Sequence, residues 1–137
     1  MRRFAMAAAA ALMCTTAQAD DVFGLWKSAV NDEGNFIHVE IGACTGDAAK
    51  VCGIIKDALN VDPAQTNVTR QAELKGKTII ANMVPDGPNE WDGGTIWAPD
   101  DDETYDSTME LKGNVLEVSG CVLGGIICRG QDWTRLN

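Results

Sequence analysis

The chain has 137 residues, with 11 basic side chains against 20 acidic ones and a formal net charge of −9. A length of this order encloses one core and not two. The acidic balance argues against nucleic acid and anionic lipid surfaces as partners, because both call for basic patches that displace counterions.

The N-terminus reads as a secretory signal peptide over residues 1–19. Arg2 and Arg3 precede an apolar run from Phe4 to Met13, and Ala17-Gln18-Ala19 supplies small residues for cleavage. The run is shorter than the roughly 20 apolar residues a membrane anchor needs. Cys14 follows a bulky Met13, which disfavours lipidation there. Cleavage after Ala19 leaves residues 20–137 as a single exported domain, periplasmic or secreted, whose charge becomes −11 with the loss of Arg2 and Arg3.

Beyond that point the pattern is of short segments with period-two alternation, separated by clusters of Gly, Asn, Asp and Pro. In Phe36 to Ile41, Ile37, Val39 and Ile41 share one face, while Phe36, His38 and Glu40 share the other. From Tyr105 to Leu111, Tyr105, Ser107, Met109 and Leu111 oppose Asp106, Thr108 and Glu110. Eight strands are expected, near residues 22–30, 35–44, 51–57, 77–84, 90–98, 104–111, 114–122 and 126–136. Asp62-Pro63 marks a helix start and Gly76 a stop, so a short helix is expected between them. The connections are short and sequential, which describes an all-β, up-and-down antiparallel barrel whose closure removes exposed strand edges.

Four cysteines remain after cleavage, Cys44, Cys52, Cys121 and Cys128. An even number in an exported domain favours disulfides. Three connectivities are formally possible, and the turns favour the local pair of bridges, Cys44–Cys52 and Cys121–Cys128. Gly124-Gly125 suits a hairpin turn that would set Cys121 directly opposite Cys128, within bridging distance. Cys44 and Cys52 flank the turn-like Thr45 to Lys50. The spacings fit neither a Cys-x-x-Cys redox pair nor a zinc knuckle, and no metal or other cofactor is expected.

Gly24-Leu25-Trp26 near the start and Arg135 near the end resemble the lipocalin and calycin signature. That resemblance implies that the arginine stacks on the tryptophan and closes one end of the barrel. It gives Gly24, Trp26, Trp133 and Arg135 a structural role. A longer series of motifs resembles bacterial domain-of-unknown-function family 2147. It comprises Gly24-Leu25-Trp26, Cys52-Gly53-Ile54-Ile55, Asn60-Val-Asp62-Pro63, Trp91-Asp-Gly93-Gly94-Thr-Ile96, Pro99-Asp100 with Tyr105, and Gly130-Gln131-Asp-Trp133-Thr134-Arg135. The resemblance implies a small exported bacterial protein with a lipocalin-like barrel. The chain departs from the family's pattern at Gln65-Thr66-Asn67, where an apolar and a basic residue are expected, and at Lys75.

Candidate ligand-binding residues are Trp91, Trp97, Tyr105 and Met109 on adjacent strands, with Asp62 and Arg70 in the loop and helix segment. Together with Asp57, the last two are expected to form a polar cluster over one barrel opening. The plain alternative for the aromatic residues is packing within the wall. Gly93 and Gly94 suggest a bulge that bends the wall. Asp100-Asp101-Asp102-Glu103 lacks the spacing of a calcium loop and reads as a solvated hairpin tip. His38, the only histidine, has no partner for a triad or a metal site. The expected function is non-enzymatic binding of a small, largely apolar molecule inside the barrel. The alternative is an envelope interaction or structural module whose barrel is filled.

Overall fold

A computed structural model describes residues 21–137; the expected signal peptide lies outside the described residues. Eight antiparallel strands close into a barrel in chain order. They are β1 (Gly24–Lys27), β2 (Asn35–Cys44), β3 (Asp47–Asn60), β4 (Thr78–Pro85), β5 (Glu90–Ala98), β6 (Glu103–Lys112), β7 (Val115–Val122) and β8 (Ile127–Arg135). One helix, α1 (Val68–Leu74), sits in the β3–β4 connection after a 3₁₀ turn at Pro63–Gln65.

Closure depends on β1 pairing with both β2 and β8, with Trp26 opposite Val39 on one side and Arg135 on the other. Period-two alternation sends Val39 and Ile41 of β2, Val51 and Ile55 of β3, and Leu116 and Val118 of β7 inward, where each is buried. Trp26, Trp91 and Trp133 are the largest fully buried side chains. With Met83, Met109 and Leu116 they pack one end of the barrel.

Several boundaries differ from the sequence expectation, each for a local reason. The first strand spans Gly24–Lys27 and not 22–30; Val22 instead accepts a 2.9 Å hydrogen bond from Trp26 Nε1. Strand β3 is longer than the expected 51–57. At its far end Ala58, Leu59 and Asn60 pair with Ile37, Phe36 and Asn35 of β2; at its near end only Asp47 of Asp47-Ala48-Ala49-Lys50 has a β2 partner, and the other three lie in a register shift. The expected single helix from Asp62 is broken in two. Asp62 caps only the 3₁₀ turn, by accepting from Ala64 N, and Thr66 is extended. Asn67 is the cap of α1, its side chain accepting from Arg70 N at 3.0 Å. Gly76, with φ of 86°, follows the helix end as expected.

Both disulfides have the local pairing, Cys44–Cys52 and Cys121–Cys128. Cys121 lies directly opposite Cys128, but the strands end at Val122 and Ile127. The connection is therefore Leu123–Ile126, a 3₁₀ turn with Leu123, Gly124 and Gly125 at positive φ, and not the two-residue turn that Gly124-Gly125 suggested. Cys44 pairs with Asp47 across a register shift, so the first bridge spans a diagonal and not a direct pair. The bulge at Gly93-Gly94 is present between Trp91 and Gly94 in the β5–β6 register. Gly94 admits no other residue without movement: a Cβ there would sit 2.3 Å from the Ala81 carbonyl oxygen and 2.6 Å from Met83 Sδ.

Candidate functional site

The two ends of the barrel are built differently. At the closed end Arg135 lies over the Trp26 ring at 4.4 Å. Its guanidinium also donates to the carbonyls of Asp21 at 2.7 Å and Phe23 at 3.3 Å. The charge is thus held between an aromatic face and two backbone acceptors, which fixes the segment before β1 across the barrel floor.

The opposite end is open, and a cavity of about 920 Å³ runs into the barrel from it. The connections β1–β2, β3–β4, β5–β6 and β7–β8 surround this opening. Its walls carry Ile37, Ile79, Ile96 and Val118, together with the buried Trp133 and Leu74. Tyr105, Arg129 and Gln131 add polar groups. Glu33, Asn67, Arg70, Asp100 and Asp101 belong to the rim.

Helix α1 covers part of the opening because its one apolar side turns inward: Leu74 is buried in the core cluster. Polar contacts then hold the helix in place. Gln71 Nε2 donates to Asp57 Oδ1 at 2.7 Å, and Lys75 approaches the same carboxylate at 3.8 Å. Arg70 reaches across the mouth to the Pro99 carbonyl at 2.8 Å and pairs with Glu73 at 3.6 Å.

The six residues proposed from sequence for ligand binding divide between the ends. Trp97, Tyr105 and Arg70 come together on the open cavity. Trp97 Nε1 is tethered to Asp102 Oδ1 at 3.0 Å, which gives one member of the acidic run a structural task. Trp91 and Met109 face each other in the β5–β6 register and are buried in the core. They border a smaller cleft of about 230 Å³, together with Asp86, Glu90, Asp92 and Glu117. Asp62 is exposed and serves as the 3₁₀ cap. The expected cluster of Asp57, Asp62 and Arg70 is not assembled, since each bonds to a different partner.

Arg129 and Gln131 were missed in the sequence. Trp133 is buried, and in a strand every second residue shares its face, so Gln131 and Arg129 line the open cavity on that face while remaining exposed to solvent. Gln131 Oε1 accepts from Trp133 Nε1 at 2.8 Å, which orients the amide NH₂ as a remaining donor.

Two titrating groups stand out, both on the outer surface near the small cleft. The Asp92 carboxyl is raised above the ordinary carboxylate value, first by desolvation and then by repulsion from and hydrogen bonding with Asp86. Lys112 is raised by its hydrogen bond and ion pair with Glu117, at 3.1 Å. Among the described residues no group of three or more His, Cys, Asp or Glu side chains is gathered to hold a metal ion. No described helix is long and apolar enough to cross a membrane.

Comparison with known proteins bears on the whole barrel. The model of a family described as uncharacterized protein conserved in bacteria (DUF2147) matches residues 24–135. Among solved structures the chain is similar to HP1028 from the human pathogen Helicobacter pylori, a protein described as belonging to the lipocalin family. The TM-score is 0.65 at 16% identity, over 85% of this chain and 83% of that one, a likeness of fold. No curated protein matches.

Proposed function

The chain belongs to the DUF2147 family, and from that premise we propose that it is an exported, non-enzymatic barrel that carries a small, largely apolar molecule in its interior. The observation behind this reading is the cavity of about 920 Å³ open at one end. It lies within the range of about 300 to 1,000 Å³ that small-molecule sites occupy. Eight-stranded barrels of this type are either filled by their own side chains or hold one small ligand. The volume favours the second, and with it the carrier over a filled interaction module.

Export is supported by the basic and apolar N-terminal pattern and by two disulfides, which persist in oxidising compartments. The non-enzymatic part of the proposal rests on the polar groups of the wall. Tyr105, Arg129 and Gln131 are a small number of hydrogen-bond donors beside aliphatic side chains, an arrangement suited to orienting a ligand.

The test is to purify the protein from its own exported fraction, extract it with organic solvent and identify what is released by mass spectrometry. An apolar compound near one equivalent, absent from a Gly120→Phe variant that fills the cavity, is the expected result. Extracts that are the same for both proteins would count against the carrier.

A further inference from the structure

Two arginines border the open cavity, and they are in different states. Arg70 is engaged with Glu73 and the Pro99 carbonyl. Arg129 takes part in no ion pair or side-chain hydrogen bond among the described residues.

The surroundings of Arg129 make room for a ligand group. Its direct neighbour on β7 is Gly120, which has no side chain to fill the wall. A Cβ at Gly120 would touch Ile96 at 3.4 Å and Tyr105 at 3.5 Å, so this residue faces the same interior space as both. The glycine therefore leaves a gap between Tyr105 on β6 and Arg129 on β8, floored by backbone. Gln131, two residues further in, offers its free NH₂ to the same space.

We propose that Arg129, with Tyr105 and Gln131, binds the carboxylate or comparable monoanionic head of an amphiphile whose apolar tail fills the cavity. This rests on the carrier reading and narrows it to a ligand class. A wholly apolar ligand filling the cavity would cover the guanidinium and strip its water without replacing those hydrogen bonds, which is strongly unfavourable. An anionic oxygen pair answers the planar donor fork in kind. Glu33, Asp100 and Asp101 stand at the rim of a chain with net charge −9, and they repel polyanions such as nucleotides. The tail has Ile37, Ile79, Ile96 and Val118 to pack against.

The experiment is fluorescence titration of the disulfide-bonded protein with a dansyl-labelled long-chain fatty acid and, separately, its methyl ester. Wild type is expected to prefer the acid by about tenfold or more, in keeping with hydrogen bonds to charged groups. Arg129→Gln should abolish that preference by weakening binding of the acid. Arg70→Gln should keep it. Equal affinity for acid and ester in wild type, or a preference that survives Arg129→Gln, overturns the assignment of the head group while leaving the carrier intact. Failure of both probes to bind overturns the carrier and this inference with it.

Discussion

At the scale of single residues, Arg135, Gly94 and Asp92 carry separable predictions. Arg135 combines a cation–π contact with two backbone hydrogen bonds, so Arg135→Met should destabilise the fold by about 2 kcal/mol. Urea unfolding measures it, and an unchanged midpoint would remove the arginine from the closure of the barrel. Gly94→Ala forces a methyl into the Ala81 carbonyl and should cost about 3 kcal/mol, in the range of overpacked sites. The prediction for Asp92 concerns pH. Its folded-state pKa is raised, so the proton binds more tightly in the folded protein, and stability is fully present below the unfolded value and lost as pH rises through the folded one. NMR titration of the Asp92 carboxyl should find it above the ordinary Asp value. Asp86→Asn should bring it down part of the way, because desolvation, the larger cause, remains. A titration unmoved by that substitution would place the cause elsewhere.

The residue scale also shows what one-letter patterns hide. The buried role of Trp91 follows from the bulge, which brings both Trp91 and Gly94 inward although they are an odd number of residues apart. Simple alternation across that segment cannot assign faces correctly. Arg129 presents the opposite case: the alternation was regular, but a charged residue on the face of Trp133 reads as an outer-surface residue until the barrel is known to be hollow.

At the scale of elements, the strands were legible because the half-buried ones alternate cleanly, as in β2 and β6. The β3–β4 connection was less so. Asp62-Pro63 has the chemistry of a helix start, but the chain there has only enough local support for a 3₁₀ turn, and Asn67 restarts the helix three residues before its own hydrogen-bond partner, Arg70 N. A seven-residue helix is too short to stand on propensity, so α1 depends on Leu74, its cap and its bonds to β3. Asn67→Ala should therefore weaken it by about 1 kcal/mol, and faster amide exchange confined to α1 would be the readout. At the β7–β8 hairpin, replacing both Cys121 and Cys128 by Ala opens a loop whose closure is worth about 2.5 kcal/mol in the chain-entropy model. The loss should appear in the unfolding midpoint, and a midpoint equal to that of wild type would mean that the register is held by strand pairing alone.

At the scale of the molecule, the division of labour between the two ends explains why so much large apolar volume sits in one half. Three tryptophans and the Trp26–Arg135 contact fill and seal the closed end, which frees the open half from supplying the core. There Gly120 replaces bulk, Gln131 and Arg129 replace apolar side chains, and α1 leans over the mouth. Barrel closure could be inferred from strand count and the terminal Gly-x-Trp and Arg pair. Hollowness could not, because it depends on how side chains from eight strands fill a common volume, which no single strand's pattern records.

The most direct test of the hollow, ligand-carrying barrel is titration with a fluorescent long-chain amphiphile, comparing wild type with Gly120→Phe. Saturable binding at one site in wild type, lost or much weakened in a variant with an unchanged circular dichroism spectrum, is the predicted result. Equal binding by both proteins, or none by either, would contradict it.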